Sequence, residues 1–138
     1  MSQKNVELVR RGYEAWNSGD AETALGMFAP DVEILLAKDA GAVWGLDLEE
    51  SYRGIDGFIE FLADFADAWE DFRWQPVEYH DVGDRVLVFI HLTARGRRSG
   101  IELDVDMAHL CDMRAGKLVR HETFMDRREA LEAAGLSE

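Results

Sequence analysis

Proton transfer is most readily supplied by a histidine set beside a carboxylate, and one hairpin of this 138-residue chain offers that pair. The run Arg85 to Arg97 turns at Arg98-Ser99 into Gly100 to Met113. One register sets Arg95 opposite Glu102, Thr93 opposite Asp104 and His91 opposite Asp106, with Phe89 opposite Ala108 and Leu87 opposite Leu110 farther from the turn. A slip of one residue would set Leu92 against Asp104 and Arg95 against Ile101, and would invert every side chain, so the first register is preferred. This face grades from charged to apolar. His91 and Asp106 stand at the transition, expected at the mouth of a pocket, with His121 on the neighbouring strand. A carboxylate fixes a histidine's tautomer and raises its basicity, which makes Asp106, His91 and His121 the candidate catalytic set. The competing reading is a salt bridge at the sheet rim, worth about 0.2–1 kcal/mol.

The elements that must position these groups follow from hydrophobic spacing. Val6, Val9, Tyr13 and Trp16 recur at three and four residues, one face of a helix over 5–16 that ends at Asn17-Ser18-Gly19. Asp20 caps a short second helix running to Phe28, and Pro30-Asp31 breaks it before a strand over 32–37. An irregular segment, 38–51, reads as a loop or short edge strand. Phe58, Phe61, Leu62, Phe65 and Trp69 form the buried side of a helix over 55–69. Period two then takes over, and 74–82, 85–97, 100–113 and 117–125 read as four successive strands. Asp126-Arg-Arg-Glu129 is a capping box for a closing helix over 127–134, ended by Gly135. Helices first and a meander afterwards indicate a single α+β domain over 1–138.

Trp16, Trp44, Tyr52, Phe61, Phe65, Phe89, Leu110 and Thr123 are the expected ligand-contact residues, since a pocket sets a few polar tips among apolar walls. Ile101, Leu103, Val105, Met107, His109, Cys111 and Met113 form the opposite face of the 100–113 strand. With the helices assigned to the first face, this second apolar face calls for another cover, and a homodimer through the outer sheet face is expected. His109 then reads as a packing histidine and Cys111 as an inert thiol.

The formal net charge of −13 excludes a nucleic-acid or anionic-membrane surface, which would repel it. The lone cysteine excludes an intrachain disulfide and suits a reducing cytoplasm. No signal-like start or membrane-length apolar run occurs. HExxH and paired cysteines are absent, which argues against a structural zinc site, and no GxGxxG or Walker-type loop occurs.

Several local motifs, in order, carry a resemblance: Asn17-Ser-Gly-Asp20, Phe28-Ala-Pro-Asp-Val32, Tyr52-Arg-Gly-Ile-Asp-Gly-Phe58, Ala108-His-Leu110 ahead of Gly116-Lys117, and Phe124-Met-Asp-Arg-Arg-Glu-Ala-Leu131. The chain resembles the SnoaL-like branch of the NTF2-like superfamily over nearly its whole length. The resemblance implies a cone-shaped α+β barrel, a curved mixed or antiparallel sheet wrapped around N-terminal helices, with a deep apolar pocket. It implies a cyclic or polyketide-like organic ligand, with cofactor-free isomerase, cyclase or hydrolase chemistry, or else a non-catalytic binding or protein-interaction module. Aligning the ketosteroid-isomerase roles through Asn17 and Gly116-Lys117 puts them at Gly12, Leu36 and Ala108, none of which can do that chemistry. The same alignment turns Ala108, Val119, His121, Thr123 and Met125 inward.

Overall fold

The computed structural model describes residues 2–37, 40–46, 48 and 51–137. Chain order is α1 (Ser2–Asn17), α2 (Ala21–Leu25), β1 (Phe28–Leu35), α3 (Ala40–Trp44), β2 (Ser51–Arg53), α4 (Gly54–Ala68), β3 (Trp69–Val82), β4 (Arg85–Gly96), β5 (Glu102–Arg114), β6 (Lys117–Phe124) and α5 (Arg127–Ala133). The described strands form one curved, open sheet in the order β2-β1-β6-β5-β4-β3. Only β1 and β6 run parallel, and the remaining pairs are antiparallel. This is the α+β class that the sequence pattern indicates, with the curved mixed sheet against N-terminal helices that the resemblance implies.

Boundaries shift where a bulge competes with a simple alternation. The second helix is one turn long, and β1 begins at Phe28; Pro30 falls in the irregular stretch between the Phe28 and Glu33 pairings, where its missing N–H costs no ladder bond. The strand expected from Trp74 begins at Trp69, because α4 stops at Ala68 and Asp71 takes a left-handed φ of 53° at a register shift. The irregular segment contains α3 and β2, while Lys38, Asp39, Asp47, Glu49 and Glu50 lie outside the described residues. Gly54, at φ 76°, makes the sharp passage from β2 into α4, and a side chain there would press on the Pro30 carbonyl.

The β4–β5 register pairs His91 with Asp106 and Phe89 with Ala108, as the hairpin spacing indicates. Which face looks inward is the reverse of the expectation. Val86, Val88, Ile90, Leu92, Leu103, Met107, Cys111 and Met113 pack with Val6, Val9, Phe61 and Phe65 of the helices in the main core. The face expected to need a second subunit is therefore the one α1 and α4 already cover, and the argument for a twin molecule as its cover falls with that correction. Phe89 and Leu110 face the other way. With Leu87 and Ala108 they form a smaller cluster under Ala130 and Leu131 of α5 and Ala134 just after it. The acidic half of that outer face stays in water because α5 reaches only its far end.

Two hydrogen-bonded clasps hold the aromatic walls in place. Asn17, at the end of α1, donates its amide to the Trp74 carbonyl at 2.9 Å and accepts from the Trp74 N–H at 3.2 Å. The Trp69 indole N–H donates to the Trp44 carbonyl at 2.8 Å, which ties α3 to the start of β3.

Candidate functional site

A cavity of about 100 Å³ lies between α1, α4 and the inner sheet face. Its aromatic wall is Trp16, Phe28, Trp44, Phe58, Phe61 and Trp74, and Tyr13, His109, Cys111, His121 and Thr123 supply its polar groups. Among the described residues that line it, none is Asp, Glu, Lys or Arg.

The strand geometry explains which histidines enter. His109 and Cys111 alternate onto the inner face of β5, beside Thr123 and His121 of β6. A shift in the β5–β6 ladder between Asp112 and Met113 leaves Val119 without a partner, so Leu118 and His121, three residues apart, both reach the cavity. Val119, expected inward by plain alternation, instead borders a polar surface groove with Asn5 and Arg114.

Tyr13 and His109 are joined at 2.6 Å between the phenol oxygen and Nδ1, and their rings lie nearly parallel. Burial, with lesser repulsion from Cys111 and Tyr79, holds the Tyr13 phenol well above its ordinary range. Burial also holds the His109 imidazole well below its ordinary value, and the neighbouring His121 adds to the effect. The His121 ring lies 4.1 Å from that of His109, between centroids. His121 retains some open surface as a cavity-wall residue, yet it is removed from bulk water, and desolvation takes it down to about 4. Its Nδ1 is buried and has no hydrogen-bond partner. Both imidazoles are thus neutral at pH 7. With the phenol donating to Nδ1, His109 carries its own proton on Nε2; the reverse tautomer frees the phenol O–H instead. Either way this pair can present one hydrogen-bond donor to the cavity. Burial pushes the Cys111 thiol up to about 12, so it is no nucleophile near neutrality.

Of the expected site residues, Trp16, Trp44, Phe61, His121 and Thr123 line this cavity. Asp106 and His91 do not. His91 stands on the outer face, its Nδ1 2.8 Å from Asp106 and its Nε2 2.8 Å from Asp104, and the Asp106 side chain is 89% exposed. Water stabilises carboxylates there far better than the apolar cavity would. The hydrogen bond to Asp106, with the two negative charges, raises the His91 pKa. Tyr52 is buried beside the cavity against Phe61, its hydroxyl donating to Asp64 at 3.4 Å, and Phe65 is buried behind Trp44 and Trp74. Phe89 and Leu110 belong to the cluster under α5. Sequence reasoning missed Tyr13 and His109 as site residues. The available signal was the alignment to Gly12 and Ala108: the chemically competent groups sit one position later in each element.

A six-stranded curved sheet with its helices packed over one face and a cavity between the layers defines the NTF2-like class. Residues 9–121 match the model of the SnoaL-like domain, and the chain belongs to that family. Solved structures agree. TerC, co-crystallized with polyporic acid, is 29% identical over 96% of this chain and 98% of that one, with a TM-score of 0.77. An NTF2-like protein of unknown function from Burkholderia pseudomallei K96243 is 24% identical over 94% and 95%, with a TM-score of 0.77. A hypothetical protein with a ketosteroid isomerase-like fold from Catenulispora acidiphila DSM 44928, in complex with trimethylamine, is 17% identical over 95% and 94%, with a TM-score of 0.70. Among curated proteins none matches this sequence.

Proposed function

We propose that this protein binds a small cyclic organic molecule between α1, α4 and the inner sheet face, with Tyr13, His109 and His121 as its polar contacts. The observation that carries this reading is an aromatic-walled cavity with one cluster of neutral polar groups on its wall. Size narrows the ligand. An engineered cavity of about 150 Å³ admits benzene, whereas drug-sized ligands occupy about 300–1,000 Å³. At about 100 Å³, two thirds of the first figure, the cavity suits at most one ring, and anything larger would have to displace wall side chains. The co-crystal of TerC with polyporic acid supports a small organic ligand for a chain of this kind.

Cofactor-free acid–base chemistry on the ligand is the catalytic form of this reading. The Tyr13–His109 pair would hold a substrate oxygen while His121 accepts a proton. Binding without turnover is the second reading, and one observation favours it: an imidazole at about 4 is a weak base near neutrality. Three tryptophans on the wall give the test, because ring-sized ligands should quench their fluorescence saturably. Native mass spectrometry of the purified protein should show a co-purified small molecule. Absence of both signals would refute the ligand reading. A bound compound converted by the protein but not by His109→Ala would select the catalytic form.

A further inference from the structure

The cavity wall has an acceptor with nothing to accept. The Nδ1 of His121 is buried and meets no hydrogen-bond partner among the described residues. A neutral imidazole keeps one lone pair for a donor, and leaving it unmet in a buried site costs free energy. The other unmet groups of wall residues, the buried indole N–H of Trp44 and of Trp74, are donors that reach no partner and leave the imidazole lone pair unserved. Tyr13 is engaged with His109, and Cys111 is the only other titratable group lining the cavity among the described residues. Beside His121 on β6, Arg120 pairs with Glu122 at 3.8 Å and with Glu33 at 3.7 Å. No fixed charge therefore faces His121 from α1, α4, β1 or β5 across the described cavity wall.

A ligand suited to this wall is uncharged as a whole, one ring in size, and brings its own proton. A simple hydrocarbon leaves His121 unmet. An ammonium ion finds no counter-anion, and a phenolate or carboxylate entering without a proton finds no cation. A hydroxyl attached to an unsaturated ring answers each demand, because one O–H donates to His121 and accepts from the nearby His109 or Tyr13 donor. We infer that the cavity takes a single-ring weak acid, a phenol or enol, in its protonated form, with the acidic O–H docked on His121. This deepens the ligand-binding reading above and depends on it. The proton balance is closed: ligand and proton enter together, and the proton rests on the ligand oxygen or on His121, with the opposite charges adjacent in the latter case.

Calorimetry with phenol and toluene, matched in ring size, separates the two levels of the proposal. Phenol should bind about tenfold more tightly than toluene, the worth of one satisfied buried hydrogen bond. In His121→Phe most of that preference should vanish, with toluene itself changed less than about twofold. 2,6-Difluorophenol, which ionises nearer neutrality, should lose about tenfold in affinity per pH unit above its own ionisation. This profile needs only the unaltered protein, so it decides the matter even if His121→Phe fails to fold. Equal binding of phenol and toluene overturns the inference while the cavity reading stands. So does a phenol preference that survives largely intact in a folded His121→Phe, or difluorophenolate binding that does not fall with pH. If neither ring binds, both readings fail.

Discussion

His121 makes the burial of this site measurable without any ligand. In the unfolded chain its imidazole titrates near 6.5, and in the folded chain at about 4. The folded state therefore binds fewer protons than the unfolded state between those values. Stability is complete above about pH 6.5 and falls as the pH drops toward 4. Each tenfold loss of proton affinity on folding is worth about 1.4 kcal/mol. Acidification from about pH 7.5 to about pH 4.5 protonates nearly all of the unfolded imidazole and only about a quarter of the folded one. Integration over that range gives a loss of roughly 2.5 kcal/mol from this side chain.

Carboxylates also titrate over part of this range, so the informative quantity is a difference between proteins. Urea unfolding of wild type and His121→Phe at the two pH values supplies it. Wild type should lose roughly 2.5 kcal/mol more on acidification than the variant. The mutual repulsion of His109 and His121 adds to that figure, because the variant removes it as well. Parallel stability–pH curves, within about 0.5 kcal/mol, would mean that His121 is hydrated in the native state, and its burial in the cavity wall would be refuted.

Phe65 is fully buried among Trp44, Phe61, Phe72 and Trp74, so Phe65→Ala should cost about 3–5 kcal/mol in denaturant unfolding; a loss under about 1 kcal/mol would contradict that packing. Cys111, buried and pushed up to about 12, should resist iodoacetamide at pH 8 in the native protein and react at once in urea; rapid native labelling would place the thiol at an open surface. His91, held between Asp104 and Asp106, should titrate above 6.5 by NMR and move down in Asp106→Asn. Because its folded value is the raised one, this pair contributes stability at low pH that is lost as the pH rises through that value. An unmoved resonance would dissolve the pair.

How far the site could be read from sequence turns on the difference between register and facing. Register was legible because opposite charges and matched apolar residues on β4 and β5 admit one pairing, and the structure has that pairing. Facing depends on which elements cover the sheet, and that is not a property of the hairpin. The alternation in Leu103-Asp104-Val105-Asp106-Met107 puts acids on one side and apolar groups on the other. Elementary solvation sends the acids to water. The apolar Phe89, Ala108 and Leu110 beyond them suggested a pocket, although a two-turn helix from the end of the chain covers them instead. The ladder irregularity at Val119 had no signature in the sequence, since Lys117 to Met125 alternates plausibly in either phase. Tyr13 was legible as a core position of α1, and His109 as a polar residue on an apolar face. Their joint meaning required knowing that α1 crosses β5 at that level. A histidine on the apolar side of a strand is costly to desolvate, and here that cost is met by a tyrosine from the first helix, 96 positions away. The same geometry that hid the pair from local pattern reading makes it a better candidate than His91 and Asp106, for the proton shared between Tyr13 and His109 is buried, whereas His91 and Asp106 stand in water.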